Sequence, residues 1–128
     1  MSTASKIEQF NEFLKGYIEC IAFTEEETLR VGEEPIDVVE ALSHEALARI
    51  YSDCVDFFFN EYRRLQLIIS YSYTYGHAGH DFWLTRNGHG AGFWDRGFKE
   101  DGEELADHAR IYSAVEVYCE YDGKVHLG

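Results

Sequence analysis

The sequence predicts an α+β domain: two N-terminal helices, then a β-hairpin, a helix and a second β-hairpin, giving a four-stranded antiparallel sheet packed against helices. Three observations carry that expectation. Apolar residues recur at helical spacing through two long N-terminal segments. The chain closes on VEVYCEY-DG-KVHL, two strand-like runs about an Asp-Gly turn. Between these regions lies GHDFWLTRNGHGAGFWDRG, residues 79–97, dense in glycine, aromatic and charged residues, with Asn87-Gly88 as a second turn signal. A length of 128 residues suits one domain.

Ser5-Lys6-Ile7-Glu8 has the form of a capping box. Ile7, Phe10, Leu14, Tyr17, Ile18 and Ile21 follow at helical spacing, which predicts a helix over 6–22. Residues 24–42 lack a clean period and hold the only proline, so they read as an acidic loop bearing Glu25, Glu26, Glu27, Glu33 and Glu34. A second helix is predicted over 43–70, with Ser43 as N-cap and a core face of Leu47, Ile50, Cys54, Phe58, Leu65 and Ile68. Its length of ~40 Å is too great for so small a domain unless it kinks or projects into a homodimer. After the predicted hairpin over 80–96, a third helix spans 102–113 with Leu105, Ala109 and Tyr112 inward, and the last hairpin spans 115–127.

The block at 79–97 is where chemistry concentrates. If Asn87-Gly88 forms the turn, Arg86 faces His89, Phe82 faces Phe93 and His80 faces Asp95, with Trp83 over Gly92 on the other face. If Gly88-His89 turns instead, Trp83 meets Trp94 and Asp81 meets Arg96. In either register Gly88, Gly90 and Gly92 bare one strand end, and Arg86, Asn87, His89, His80, Asp81, Asp95 and Arg96 cluster around it, which predicts a binding hairpin. In an enzyme, His80 oriented by Asp95 would be a general base, and Arg86 with Asn87 would hold a phosphate or carboxylate. Thr85 is the only nucleophile nearby, so covalent catalysis is disfavoured. His77, His80, Asp81 and His89 have donor types suited to a divalent metal, but histidines in such groups are usually ordinary hydrogen-bonded residues, so no cofactor is expected and a divalent metal is the less favoured alternative. The glycines lack the Lys-Ser/Thr pair of a phosphate loop.

A net charge of −13 disfavours direct nucleic-acid binding and suits a basic partner protein. Residues 1–61 carry 14 Asp and Glu against 4 Lys and Arg. No run approaches the ~20 apolar residues of a membrane span, and the polar start does not read as a signal peptide. Cys20, Cys54 and Cys119, odd in number and set among apolar residues, read as reduced structural thiols.

The block also resembles the GHDFWLTRNGHGAGFWDRG segment of a widespread family of small proteins encoded in tailed-bacteriophage genomes. The resemblance extends to Tyr17-Ile18-Glu19-Cys20, to Ser43-His44-Glu45-Ala46-Leu47-Ala48 and to the closing strand–Asp122-Gly123–strand. YSYTYGHA before the block and FKEDGEE after it depart from the family pattern. The resemblance implies a setting: the cytoplasm of a bacterial host, and an accessory protein that binds and modulates a host protein in host takeover or anti-defence. Together with the acidity it favours a non-catalytic interaction protein acting on a basic, nucleic-acid-binding host partner. A small-ligand or nucleotide-binding protein or enzyme using the 80–96 hairpin is the alternative, and a virion or structural role the third.

Overall fold

A computed structural model describes residues 3–26, 29–31 and 34–128. Among these, six helices dominate: α1 (Thr3–Glu25), α2 (Val38–Ala41), α3 (His44–Asn60), α4 (Tyr62–Ile68), α5 (Tyr75–Arg86) and α6 (Glu100–Arg110). A 3-10 turn at Phe93–Asp95 joins α5 to α6. Among the described residues the strands form two short antiparallel ribbons, β1 (Arg30–Val31) with β2 (Glu34–Pro35), and β3 (Val117–Cys119) with β4 (Val125–Leu127), beside isolated bridges at Leu42–Val125 and Ser70–Tyr73. The molecule is therefore α-rich, and the expected four-stranded sheet does not form. Residues 80–96 supply no strand.

The reason lies at the crossing of α1 and α5, the most extensive helix contact in the fold. A Cβ on Gly79 would overlap the Phe13 carbonyl, and one on Gly16 would overlap the Gly76 carbonyl. Gly16 and Gly79 thus let two helix backbones touch, and Gly88, Gly90 and Gly92, beyond the end of α5, bare no strand. Thr74 starts α5 with a capping box: its Oγ1 accepts from the His77 amide at 3.2 Å, and His77 Nδ1 accepts from the Thr74 amide at 3.0 Å. The helix ends at Asn87-Gly88. Gly88 takes φ 70, its amide bonds the Thr85 carbonyl, and the His89 amide bonds the Leu84 carbonyl. That pair of bonds is a Schellman cap, which asks for the same glycine as a hairpin turn.

The first helix starts at Thr3, so Ser5 lies inside its first turn. Its core stripe is Phe10, Phe13, Tyr17, Cys20 and Ile21, whereas Ile7 is exposed and Leu14 and Ile18 are half-buried. The predicted stripe mixed the core face with its flank. The predicted helix over 43–70 bends at Glu61 into α3 and α4, which removes its excess length. Ser43 caps α3 as expected, accepting from the Ala46 amide at 3.0 Å, but Leu47 is exposed. Residues 24–42 are not one loop: α1 runs on to Glu25, a ribbon follows, and Asp37 caps α2.

Two predictions hold closely. Leu105 and Ala109 are buried on α6 together with Gly102 and Ala106, whereas Tyr112, predicted inward, lies beyond the helix end and is half-buried. The closing hairpin pairs Val117 with Leu127 and Cys119 with Val125, turns at Asp122-Gly123 with Gly123 at φ 76, and is fastened to the start of α3 by the Ser43 amide on the Val125 carbonyl. The core itself is aromatic. Phe57 of α3 stacks on Phe82 of α5 with centroids 4.1 Å apart, and Phe13, Phe58, Phe93 and Tyr17 surround them. Truncating Phe57 to Ala in such a setting costs about 3–5 kcal/mol.

Candidate functional site

Eight residues of the block at 79–97 are buried, Asp81 and Arg86 among them. Arg86 is buried, with its side chain 1% exposed. Its guanidinium donates to Asp53 Oδ2 at 2.7 Å, to the Tyr17 hydroxyl at 3.2 Å, and to the carbonyls of Tyr112 and Ser113 at 2.8 and 2.9 Å. Ser113 sits at φ 64, a left-handed conformation held by that contact. With four of its five N–H donors engaged and its side chain buried, the guanidinium is not presented to a phosphate, which overturns the anion-holding role. Asn87 is likewise committed: Nδ2 donates to the Trp83 carbonyl and Oδ1 accepts from the Val115 amide at 2.7 Å.

A second buried charge lies one turn back on α5. Asp81 accepts from Arg96 Nε and Nη2 at 3.1 and 2.8 Å, and from the Tyr73 hydroxyl at 2.6 Å. Burial and the adjacent carboxylate raise the Tyr73 pKa far above its usual value, so the phenol stays a donor. The Asp81–Arg96 contact is the one foreseen pair that forms, although through a helix and a loop instead of a ladder. Phe82 and Phe93 are core residues, and Trp83 donates Nε1 to Thr24 Oγ1 at 3.0 Å. A Cβ on Gly92 would press on Thr85 Oγ1, which also accepts from the Phe93 amide.

The expected His80–Asp95 dyad is not assembled. Asp95 accepts from the Gly92 amide at 3.0 Å and neighbours Arg96. His80 makes no hydrogen bond among the described residues. Its ring lines two adjoining hollows of about 240 and 290 Å³, shared with His77. Lys15, Glu12 and Glu19 flank the first, and Arg96, Tyr73 and Ser72 the second. Partial burial lowers the His80 pKa and favours the neutral ring. The metal set His77, His80, Asp81 and His89 is not brought together: Asp81 is held by Tyr73 and Arg96, and His77 Nδ1 serves the α5 cap.

What remains on the surface of the block is Gly88, His89, Gly90, the half-exposed Trp94, Asp95, Arg96 and Gly97. Of the predicted acidic surface, Glu26 and Glu34 are exposed and Glu25 is half-buried, while Glu27 and Glu33 lie outside the described residues. A second acidic face lies on α6. Glu100, Glu103, Glu104 and Asp107 are exposed there, and Asp101 pairs with Arg64 at 3.1 Å. The signal is present in EDGEELADHAR, which overlaps the predicted third helix. Cys20 and Cys54 are buried and unpaired, with the Cys20 thiol pushed up to about 12 by burial, whereas Cys119 is half-buried.

None of the described helices is long and apolar enough to cross a membrane. No protein-family model, curated protein or solved structure matches the chain.

Proposed function

We propose that this is a non-catalytic interaction protein whose acidic surface docks a basic partner protein, with α6 and the adjoining loop 88–99 as the contact face. The division of charge carries this reading. Glu100, Glu103, Glu104 and Asp107 are exposed on α6, with Arg110 beside Asp107 and His108 beside Glu104, whereas Lys15, Arg49, Arg64, Arg86 and Arg96 each meet a carboxylate outside this group. The net charge of −13 is therefore turned outward, where it steers a cationic surface and speeds encounter. The 3-10 turn carrying Trp94 packs on α6, and Ile111 follows that helix exposed. Aromatic residues of this kind anchor interfaces. On the bacteriophage resemblance, the partner would be a nucleic-acid-binding protein of the bacterial host, met in the host cytoplasm during host takeover or anti-defence.

The test is association with a fluorescent oligo-arginine peptide, followed by anisotropy over a salt series. The triple variant E103Q/E104Q/D107N should bind more weakly and with a flatter salt dependence, and W94A should weaken binding while keeping the salt slope. If E8Q/E12Q/E19Q on α1 has the same effect as the α6 triple, α6 is not the contact face.

His80 favours a second reading, a small polar ligand held in the paired hollows. H80Q would then abolish ligand binding and leave peptide association unchanged.

A further inference from the structure

Two histidines of this chain stand between pairs of carboxylates, and one geometric feature separates them. His108 meets Glu61 at Nδ1, 2.6 Å away, and Glu104 at Nε2, 3.5 Å away, so its acids grip opposite edges of the ring. His126 is approached by both acids at the same atom. Its Nε2 lies 3.2 Å from Asp122 Oδ2 and 3.9 Å from Glu120 Oε2, and one ligand atom from each of the three residues falls within 4.8 Å of the others. A single ion can sit among three converging donors, but it cannot bridge the two edges of an imidazole. Donors around a tetrahedral ion with bonds of about 2.1 Å stand about 3.4 Å apart, and the two separations at His126 bracket that spacing.

The hairpin holds these donors in place before any ion arrives. Tyr118 and His126 are paired across β3 and β4, and their rings stack with centroids 5.6 Å apart, which sets the imidazole plane. The Lys124 amide donates to Asp122 Oδ1 at 2.8 Å, fixing that carboxylate in the turn. Glu120 is held by its amide bond to the Lys124 carbonyl. The side chains of Glu120 and Asp122 are about half exposed, so an ion has access and water can complete its coordination.

We propose that Glu120, Asp122 and His126 form a binding site for a divalent transition-metal ion of the Zn²⁺ class at the tip of the closing hairpin. One imidazole nitrogen with two carboxylates suits Zn²⁺, Ni²⁺ or Cu²⁺, whereas Mg²⁺ and Ca²⁺ prefer six or more oxygen donors. The bound ion ties His126 of β4 to Glu120 and Asp122 of the turn segment and neutralises the two carboxylates, so it stabilises the hairpin. This site is independent of the α6 contact face.

The experiment is calorimetric titration of chelator-stripped, full-length protein with ZnCl₂, paired with amide chemical-shift mapping that also reports whether each variant is folded. One Zn²⁺ should bind per chain, with shifts confined to residues 117–127 and no response to MgCl₂. Loss of a neighbouring support alone costs metal sites 10- to 100-fold, so H126Q and D122N should lose at least about tenfold in affinity. H108Q should bind as the parent does. Absence of saturable binding, shifts centred elsewhere, or affinity unchanged in H126Q would overturn the assignment, as would equal loss in H108Q.

Discussion

Asn87-Gly88 and Asp122-Gly123 place their glycines at nearly the same backbone angle, φ 70 and φ 76, yet one closes a helix and the other turns a hairpin. At Gly88 the free carbonyls are those of Leu84 and Thr85 in the preceding turn, and the amides of Gly88 and His89 meet them. At Gly123 the amide meets the Glu120 carbonyl, and the strands on either side pair residue by residue. What differs is burial. Tyr75, Ala78, Gly79, Asp81, Phe82, Trp83, Thr85 and Arg86 are buried on nearly every side of α5, whereas the hairpin buries Val125 and leaves its other strand residues half-exposed. A local turn signal thus decides where glycine takes a positive φ; the partners available to the flanking side chains decide which element it ends.

The largest expected effect separates an inward from an outward Arg86. Removing one member of a buried, hydrogen-bonded ion pair costs about 3–5 kcal/mol, so Arg86→Ala should lower stability in urea unfolding by that amount. A variant as stable as the parent but unable to bind a ligand would return Arg86 to the surface. Next come the two glycines themselves. Gly88→Ala and Gly123→Ala should each cost about 1 kcal/mol, since a side chain disfavours left-handed backbone. A neutral Gly88→Ala would mean that α5 does not end in that cap.

A subtler effect concerns pH. The folded-state pKa of His80 is lowered by burial, so the unfolded chain binds its proton more readily. The stabilisation this provides is complete above the ordinary histidine pKa and declines as pH falls below it. His80→Gln should flatten the stability profile on the acid side of neutrality, and an unchanged profile would show that the ring is fully solvated. The smallest effect is expected at Gly90, which has open space around it: Gly90→Val should change stability by no more than about 0.5 kcal/mol.

Much of this helical frame was legible in the sequence. The first and third helices, the Ser43 cap and the closing hairpin all follow from local spacing, because each has one buried and one wet face or a turn between alternating strands. The block at 79–97 was not, and α5 shows why. A helix buried almost all round loses the polar stripe that reveals helical period, and consecutive Phe82 and Trp83 then resemble a strand. Nor could the partners of its charges be seen, since Asp53 and Tyr17 lie far from Arg86 in the chain. The residues with the richest chemistry in the block proved to be those holding the core together, while the acids of α6 form exposed charge.

Backbone assignment of residues 75–97 by NMR tests that inversion most directly. Helical Cα shifts through Arg86, a positive-φ signature at Gly88 and amide contacts between residues four apart are the predicted result. Cross-strand contacts between residues 80–86 and 90–96 would contradict it and restore a binding hairpin.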